Sequence, residues 1–143
     1  MIQTRNMQAT DAAAVNRLSE QLGYPQTLAD TTAYIQSVLD SNDDCAFVAL
    51  DAANQVCGWI HGFKTRRIES AAFTEIGGLV VDSNNRGQGA GRILVQAVHA
   101  WCLEQGIHIL KVRSNVIRDG AHRFYLGLGF HEKKEQKVFE ISI

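Results

Sequence analysis

The chain contains 143 residues, of which 45% are hydrophobic and 20% are charged. This length and composition allow a sizeable apolar core without disulfides or metals, so we expect one domain over residues 1–143. The formal net charge of -1 provides no basic surface. We therefore expect neither a nucleic-acid partner nor a membrane partner.

The cysteines and the N-terminal residues indicate the cytoplasm. Cys45, Cys57 and Cys102 lie in apolar segments without metal-binding spacing, which is typical of buried thiols in a reducing compartment. Residues 1–10 lack the apolar core of a signal peptide, and no apolar run approaches the roughly 20 residues that a bilayer span requires. We therefore expect a cytoplasmic protein.

The first half of the chain predicts a strand, two helices and three further strands. Residues 1–5 are a short strand candidate, and apolar residues at helical spacing then predict a helix that ends at Gly23. Thr27 and Asp30 resemble a capping box, with Asp in place of Glu, that opens a second helix through Leu39. The three strand-like runs are at residues 45–50, 55–63 and 73–81. The short turn between the first two indicates an antiparallel meander.

The second half predicts a helix, a strand, a further helix and one or two closing strands. These elements are placed at residues 91–106, 107–114, 119–129 and 130–143. The last segment carries Phe139, Ile141 and Ile143 on one face by period-two alternation. No repeat, low-complexity tract or linker interrupts the chain, which supports a single domain.

The loop Arg86-Gly87-Gln88-Gly89-Ala90-Gly91 lies between a predicted strand and the N-terminus of a helix. The unpaired N–H groups and the positive dipole of a helix N-terminus favour an anion, and glycine lets the backbone approach a phosphate closely. Arg86 and Arg92 add positive charge. The spacing fits neither the Walker pattern, since no lysine follows, nor the Rossmann pattern G-x-G-x-x-G. The turn can hold a pyrophosphate, and a plain glycine-rich connection is the alternative.

Two motifs resemble those of the GNAT N-acetyltransferase superfamily. Residues 86–91 fit Q/R-x-x-G-x-G/A, which resembles the coenzyme A signature of that family. Residues 121–130, AHRFYLGLGF, resemble its second hallmark, A-x-x-F-Y-x-x-x-G-F. The order of elements and the strand runs at residues 56–59 and 75–81 add to the likeness, which covers nearly the whole chain.

The resemblance implies an α/β (α+β) domain whose mixed, mostly antiparallel central sheet has about six to seven strands and is flanked by about four helices. It also implies that acetyl-CoA is the cosubstrate and that its acetyl group passes directly to a primary amine of a small molecule or peptide. In this family the pantetheine arm pairs like an added strand with the strand before the loop, whose N–H groups can polarise the thioester carbonyl. The cofactor-binding residues implied here are Leu79, Val80, Val81, Arg86, Gly87, Gln88, Gly89, Ala90, Gly91 and Arg92, with Ser114 and Asn115 matching more loosely.

Tyr125 matches the tyrosine that serves many family members as general acid toward the leaving thiolate. A phenol can donate that proton. A half-buried packing tyrosine is the alternative, and we expect Phe124 to point to another side and to supply the packing.

Glu75 is the candidate general base. An alkylammonium has a pKa of about 10.4, so a neighbouring base must help to remove its proton near neutrality. Strand alternation predicts that Glu75 shares a face with Gly77 and Leu79, which lead into the loop. Its distance before Arg86 is similar to that of the general-base glutamate in some family members. A solvated residue or a structural ion pair is the alternative.

Other chemistry has little support. The five histidines are scattered without ligand spacing, so we expect no metal. The acceptor is left open among polyamines, aminoglycosides, amino acids and protein amino groups. A catalytically silent acyl-CoA-binding regulatory domain and an interaction protein with a vacant loop are alternative functions. The amphipathic tail leaves both a homodimer and a monomer open.

Overall fold

The structure is a computed structural model that describes residues 1–113 and 119–143, apart from the side chain of Asp119. The described residues form two compact units, Met1–Val112 and Arg113–Ile143. The first unit contains β1 (Gln3–Asn6), α1 (Ala12–Gln21), α2 (Leu28–Leu39), β2 (Asp44–Leu50), β3 (Val56–Arg67), β4 (Ser70–Val81), α3 (Ala90–Glu104) and β5 (Leu110–Val112), and the second contains α4 (Asp119–Gly127). No helix in these described ranges is both long enough and apolar enough to cross a bilayer.

The strands form one mixed sheet in the order β1-β2-β3-β4-β5. The first three pairings are antiparallel, and β4 pairs with β5 in parallel. The described residues contain four helices, as predicted, and the predicted mixed, mostly antiparallel sheet is confirmed. Its predicted size is wrong, because the described residues supply five strands rather than six to seven.

The missing strands are those predicted for the C-terminal tail. Residues 130–143 contain no strand, and the side chains of Val138, Phe139 and Ile141 are more than four-fifths exposed. Period-two alternation shows only that a segment suits a strand, whereas a strand also needs a neighbour to pair its N–H and C=O groups. None of the five strands in the described part of the chain lies in the tail.

The helix boundaries follow local signals. Thr27 caps α2, since its side-chain oxygen accepts a hydrogen bond from the N–H of Asp30 at 3.0 Å. Gly23 and Gly106 follow the ends of α1 and α3 with φ angles of +84° and +71°. This left-handed conformation suits glycine and stops a helix. These predicted boundaries are confirmed.

Helices cover both faces of the sheet. On one face, here called the α1–α2 face, Ala46 and Val48 of β2 pack with Val15 and Ile35, and Trp59 of β3 borders this cluster. On the opposite face, here called the α3 face, a Cβ added at Gly62 would lie 3.1 Å from Val98. Burying aliphatic side chains of this kind stabilises the fold by about 1.5–3 kcal/mol each.

The predicted burial of the cysteines is confirmed, since Cys45, Cys57 and Cys102 are all buried and unpaired. Burial raises the pKa of each thiol, and it raises that of Cys45 to about 12. These thiols are therefore part of the core and are poor nucleophiles near neutral pH.

A two-pronged ion pair connects β1 to the start of α1. Arg5 donates hydrogen bonds of 2.8 and 2.9 Å to the two carboxylate oxygens of Asp11, which also accepts the N–H of Gln8 at 2.8 Å. Burial by itself would raise the pKa of Asp11, but the hydrogen bonds from Arg5 and Gln8 outweigh it and hold this pKa below its ordinary value. The carboxylate therefore stabilises the fold in its charged form.

Candidate active site

Strand β4 carries several of the predicted site residues and loses one of its neighbours halfway along. Residues 74–76 pair with residues 110–112 of β5, whereas β4 continues to Val81. Beyond Ile76 no strand among the described residues pairs with this edge. Leu79, Val80 and Val81 lie on this stretch of β4, and a strand edge of this kind can accept an extended ligand.

A β-bulge at Gly77 marks the point where β4 leaves β5. In the β3–β4 pairing Ile76 lies opposite Gly62 and Gly78 lies opposite His61, so Gly77 is the extra residue. A Cβ added at Gly77 would lie 2.9 Å from the ring of Phe63. Only glycine fits this position without moving the ring.

The bulge corrects the predicted environment of Glu75. Glu75 lies opposite Phe63 and Leu79 lies opposite Ile60, and residues that lie opposite each other in an antiparallel pair share a face. Phe63 and Ile60 are three residues apart on a regular strand, so they point to opposite faces. Glu75 therefore lies on the α1–α2 face with Gly77, as predicted, but Leu79 lies on the α3 face, because the extra residue shifts the alternation.

The glycine-rich loop adopts the conformation that its sequence demands. Gly87 and Gly89 have φ angles of +81° and +87°, and a Cβ at either position would meet no atom within 4 Å. Glycine is thus required by backbone conformation rather than by space. Residues 86–89 are exposed to solvent, whereas Ala90 is buried.

The loop is held at the end of β4 by Asp82. The N–H of Asp82 donates to the carbonyl of Cys57 at 2.8 Å, and its side chain accepts the N–H of Asn84 at 3.0 Å. The chain then turns into α3, a helix of 15 residues that begins at Ala90. The first N–H groups of a helix have no partner within it and carry partial positive charge. Arg86 and Arg92 are both exposed here, so the loop combines N–H donors with two cations.

The second unit contains Tyr125 on α4. Its ring makes edge contacts with Phe124 and Phe130, at centroid distances of 5.2 and 5.6 Å. The expectation that Phe124 points away is therefore wrong, because these adjacent rings touch. Gly129 has a φ angle of +99° after the helix, as the predicted helix end requires. The two loosely matched cofactor residues, Ser114 and Asn115, lie outside the described residues.

One pair of polar side chains was missed by the sequence interpretation, which considered the histidines only as metal ligands. The Nε2 atom of His61 lies 2.7 Å from a carboxylate oxygen of Asp44 on the neighbouring strand. The alternation of Trp59, His61 and Phe63 was a signal for one strand face, but it does not identify a partner. The β2–β3 register also shifts between Ala49 and Leu50, so counting back from the turn would have misplaced Asp44.

Two further features lie away from the predicted residues. In the described ranges no three His, Cys, Asp or Glu side chains come together as metal ligands. A cleft of about 660 Å³ opens between the end of α2, the start of β2 and α3. It contains none of the predicted site residues.

A sequence model of the acetyltransferase (GNAT) family matches residues 12–130. The chain belongs to this family, and the predicted resemblance is confirmed. The match begins after β1 and spans β2 to β5, the glycine-rich loop and Tyr125.

Two curated relatives of the chain are also named N-acetyltransferases. The chain is 33% identical over 91 residues, or 64% of its length, to an uncharacterised N-acetyltransferase of Methanocaldococcus jannaschii. It is 28% identical over 88 residues, or 61% of its length, to N-acetyltransferase 8F1 of Rattus norvegicus. These alignments cover 36% and 40% of the two relatives, so the chain matches well under half of each.

Solved structures share the fold at low identity. The aminoglycoside 6'-N-acetyltransferase AAC(6')-Ih of Acinetobacter baumannii has a TM-score of 0.87 at 15% identity, over 100% of this chain and 99% of that one. The enzyme AAC(6')-Iy, in complex with a bisubstrate analogue that contains CoA, gives 0.87 at 17% identity with the same coverage. A transcriptional regulator from Bacillus halodurans gives 0.84 at 19% identity, over 99% and 100% of the chains. At these identities the likeness concerns the fold alone.

Proposed function

We propose that this protein is an acetyl-CoA-dependent N-acetyltransferase that moves an acetyl group directly to a primary amine of a small molecule or peptide. The observation that carries the proposal is the loop of residues 86–91, with Gly87 and Gly89 at positive φ in front of a long helix. The family match and the names of the curated relatives support the same reaction.

Acetyl-CoA is the cosubstrate in this proposal. The backbone N–H groups of residues 87–91 and the side chains of Arg86 and Arg92 bind its pyrophosphate. The pantetheine arm pairs with the open edge of β4 at residues 79–81, in the manner of an added strand. Ser114 and Asn115 contribute to the binding of the same arm. N–H groups of β4 near the bulge stabilise the negative charge that develops on the thioester oxygen.

Two side chains move protons in this reaction. Glu75 removes a proton from the ammonium group of the acceptor and leaves a neutral, nucleophilic nitrogen. The nitrogen attacks the thioester carbonyl, the carbon–sulfur bond breaks, and Tyr125 donates a proton to the leaving sulfur. No acyl-enzyme is formed, which agrees with the burial of the cysteine thiols and with the rise in pKa that burial causes.

We place the acceptor on the α1–α2 face beside the bulge. Trp59, His61 and Phe63 alternate along this face of β3, and Glu75 lies opposite Phe63. Aromatic rings beside a carboxylate suit a cationic amine. Several structural neighbours are aminoglycoside acetyltransferases, and one was solved with sisomicin, which makes aminoglycosides a reasonable first acceptor class to assay.

The surroundings of the protein are also part of the proposal. The three unpaired cysteines support a reducing compartment such as the cytoplasm. Exposed Val138, Phe139 and Ile141 support a homodimer formed through the tail.

Release of free thiol from acetyl-CoA, measured over a panel of amines, tests this function. Spermidine, sisomicin and a lysine-containing peptide represent the acceptor classes. Turnover with one of them supports the proposal. Tight binding of acetyl-CoA by calorimetry without turnover on any amine would instead indicate the regulatory domain. Failure to bind acetyl-CoA would indicate an interaction protein.

A further inference from the structure

The α1–α2 face contains a histidine–carboxylate pair beside the glycine bulge. His61 lies opposite Gly78, immediately after the extra residue Gly77. Its Nε2 atom is 2.7 Å from a carboxylate oxygen of Asp44. The other oxygen of Asp44 accepts a hydrogen bond of 2.7 Å from the hydroxyl of Ser41. The carboxylate is therefore held from two sides and holds the imidazole in turn.

This contact determines which ring nitrogen of His61 is available. A carboxylate can only accept hydrogen bonds, so Nε2 carries the proton and donates it to Asp44. In the neutral imidazole Nδ1 is then a bare acceptor. A histidine oriented by a carboxylate in this way is the arrangement of a general base.

The available nitrogen faces the place where β4 opens. A Cβ added at Gly77 would lie 3.1 Å from Nδ1 of His61, and Gly77 directly follows the last residue of β4 that pairs with β5. The side chains of His61 and Asp44 are 25% and 20% exposed. The ring is thus partly accessible, unlike a histidine sealed inside the core. The ionisable residues that share this face with His61 on the two neighbouring strands are Asp44 of β2 and Glu75 of β4.

Two protons leave the acceptor nitrogen in the proposed reaction. An ammonium group that becomes an amide loses two protons, one before it attacks the thioester and one afterwards. Glu75 takes the first proton. Tyr125 supplies the proton of the leaving sulfur and does not act on the nitrogen.

We propose that His61 is a further catalytic residue, whose Nδ1 accepts the second proton from the acceptor nitrogen. The carbon–nitrogen bond has then formed. As the nitrogen loses this proton, the carbon–sulfur bond breaks, its electron pair leaves with the sulfur, and Tyr125 protonates the sulfur. The imidazolium of His61 is stabilised by Asp44 and later releases its proton to solvent. Glu75 likewise releases its proton and Tyr125 takes one up, so that one proton is released to solvent overall. This step rests on the proposed N-acetyltransferase function.

Variants of His61, assayed with acetyl-CoA and the amine that the wild-type protein acetylates best, test the proposal. We expect His61→Gln to lower kcat by about 100-fold, as is typical of a lost proton acceptor, with unchanged affinity for acetyl-CoA by calorimetry. Unchanged affinity also shows that the variant is folded. His99→Gln, on the exposed side of α3, is the matched control and should keep wild-type activity.

Rescue by added imidazole separates a catalytic role from a structural one. We expect His61→Ala to regain activity in proportion to the imidazole concentration, and Asp44→Ala to lose activity without being rescued. Full activity of His61→Gln, or a folded His61→Ala variant that imidazole does not rescue, would overturn this proposal and leave the proposed function intact. A wild-type protein that acetylates no amine in the panel would overturn both.

Discussion

Gly89 belongs to the glycine-rich motif of residues 86–91 and has a backbone conformation that other residues avoid. Its φ angle is +87°, and it lies directly before the first residue of α3. A residue with a Cβ pays roughly 1–2 kcal/mol for this left-handed conformation. We expect Gly89→Ala to turn the N–H groups of the loop away from the pyrophosphate and to weaken acetyl-CoA binding by about tenfold or more in calorimetry.

Gly106→Ala is the matched control for this prediction. Gly106 has a φ angle of +71°, lies just after the other end of α3, and like Gly89 has no atom within 4 Å of an added Cβ. The two substitutions should lower the melting temperature by similar amounts. Only Gly89→Ala should change the affinity for acetyl-CoA, and an equal loss in both variants would assign the effect to stability.

Glu75 lies opposite Phe63 on β3 and opposite Lys111 on β5. A general base is active only when deprotonated, and glutamine cannot accept the proton. We expect Glu75→Gln to lower turnover and to change the pH profile of kcat/KM. Glu104→Gln, on the exposed end of α3, should leave the profile unchanged. An unaltered profile in the Glu75 variant would exclude Glu75 as the base.

Tyr125 is predicted to act on the leaving group and not on cofactor binding. Phenylalanine keeps the edge contacts with Phe124 and Phe130 but removes the hydroxyl. We expect Tyr125→Phe to lower kcat by about 100-fold with little change in acetyl-CoA affinity. Tyr34→Phe, an exposed position on α2, is the control. Unchanged turnover would remove Tyr125 from the mechanism.

The sequence predicts those parts of the helices and strands that depend on a few neighbouring residues. The cap at Thr27 and the helix ends at Gly23 and Gly106 depend on a few neighbouring residues, and all three are confirmed. The bulge at Gly77 was not predicted, because two adjacent glycines do not show which one is extra until β3 is paired. The pair of His61 and Asp44 was missed for the same reason, since the two residues come together only through the register of separate strands.

The tail shows that a local sequence pattern can also predict strands that do not form. Its alternating pattern is a correct description of residues 138–143, and it still yielded strands that the structure does not contain. Pairing is a property of two segments, and a sequence pattern reports only one of them. The predicted catalytic and cofactor residues rest on family motifs, and motifs are most informative where the backbone conformation is local, as in the loop of residues 86–91.

The ion pair that joins β1 to α1 predicts an acid-sensitive contribution to stability. Because the pKa of Asp11 is lowered in the folded protein, its contribution is present above the unfolded pKa of about 3.9 and is lost as the pH falls through the lower folded value. Arg5 is 36% exposed, so water weakens the pair. We expect Asp11→Asn to lower the free energy of unfolding by about 1–2 kcal/mol at pH 7.

Denaturant unfolding at several pH values checks this expectation. The difference between wild type and Asp11→Asn should shrink as the pH is lowered below about 4. Asp43→Asn removes a more exposed ion pair with Arg66, of 3.0 Å, and should change stability by no more than about 1 kcal/mol. A difference for Asp11→Asn that stays constant down to pH 2 would contradict the assigned role of Asp11.

The fold of the protein restricts its possible functions but does not identify one of them. Structures with TM-scores of 0.84 to 0.87 include aminoglycoside acetyltransferases and a protein described as a transcriptional regulator. One architecture thus supports different roles, and the site has to distinguish them. Here the loop is the proposed place of the donor, and the face of β3 and β4 beside the bulge is the proposed place of the acceptor.

Transfer of a labelled acetyl group tests the proposed acetyltransferase activity. The wild-type protein is incubated with acetyl-CoA that carries carbon-13 in its acetyl group, together with spermidine, sisomicin or a lysine-containing peptide, and the amines are analysed by mass spectrometry. We predict that at least one amine gains the labelled acetyl group in step with the release of free CoA, and that Gly89→Ala slows both. Binding of acetyl-CoA with no labelled amide on any acceptor would contradict this activity.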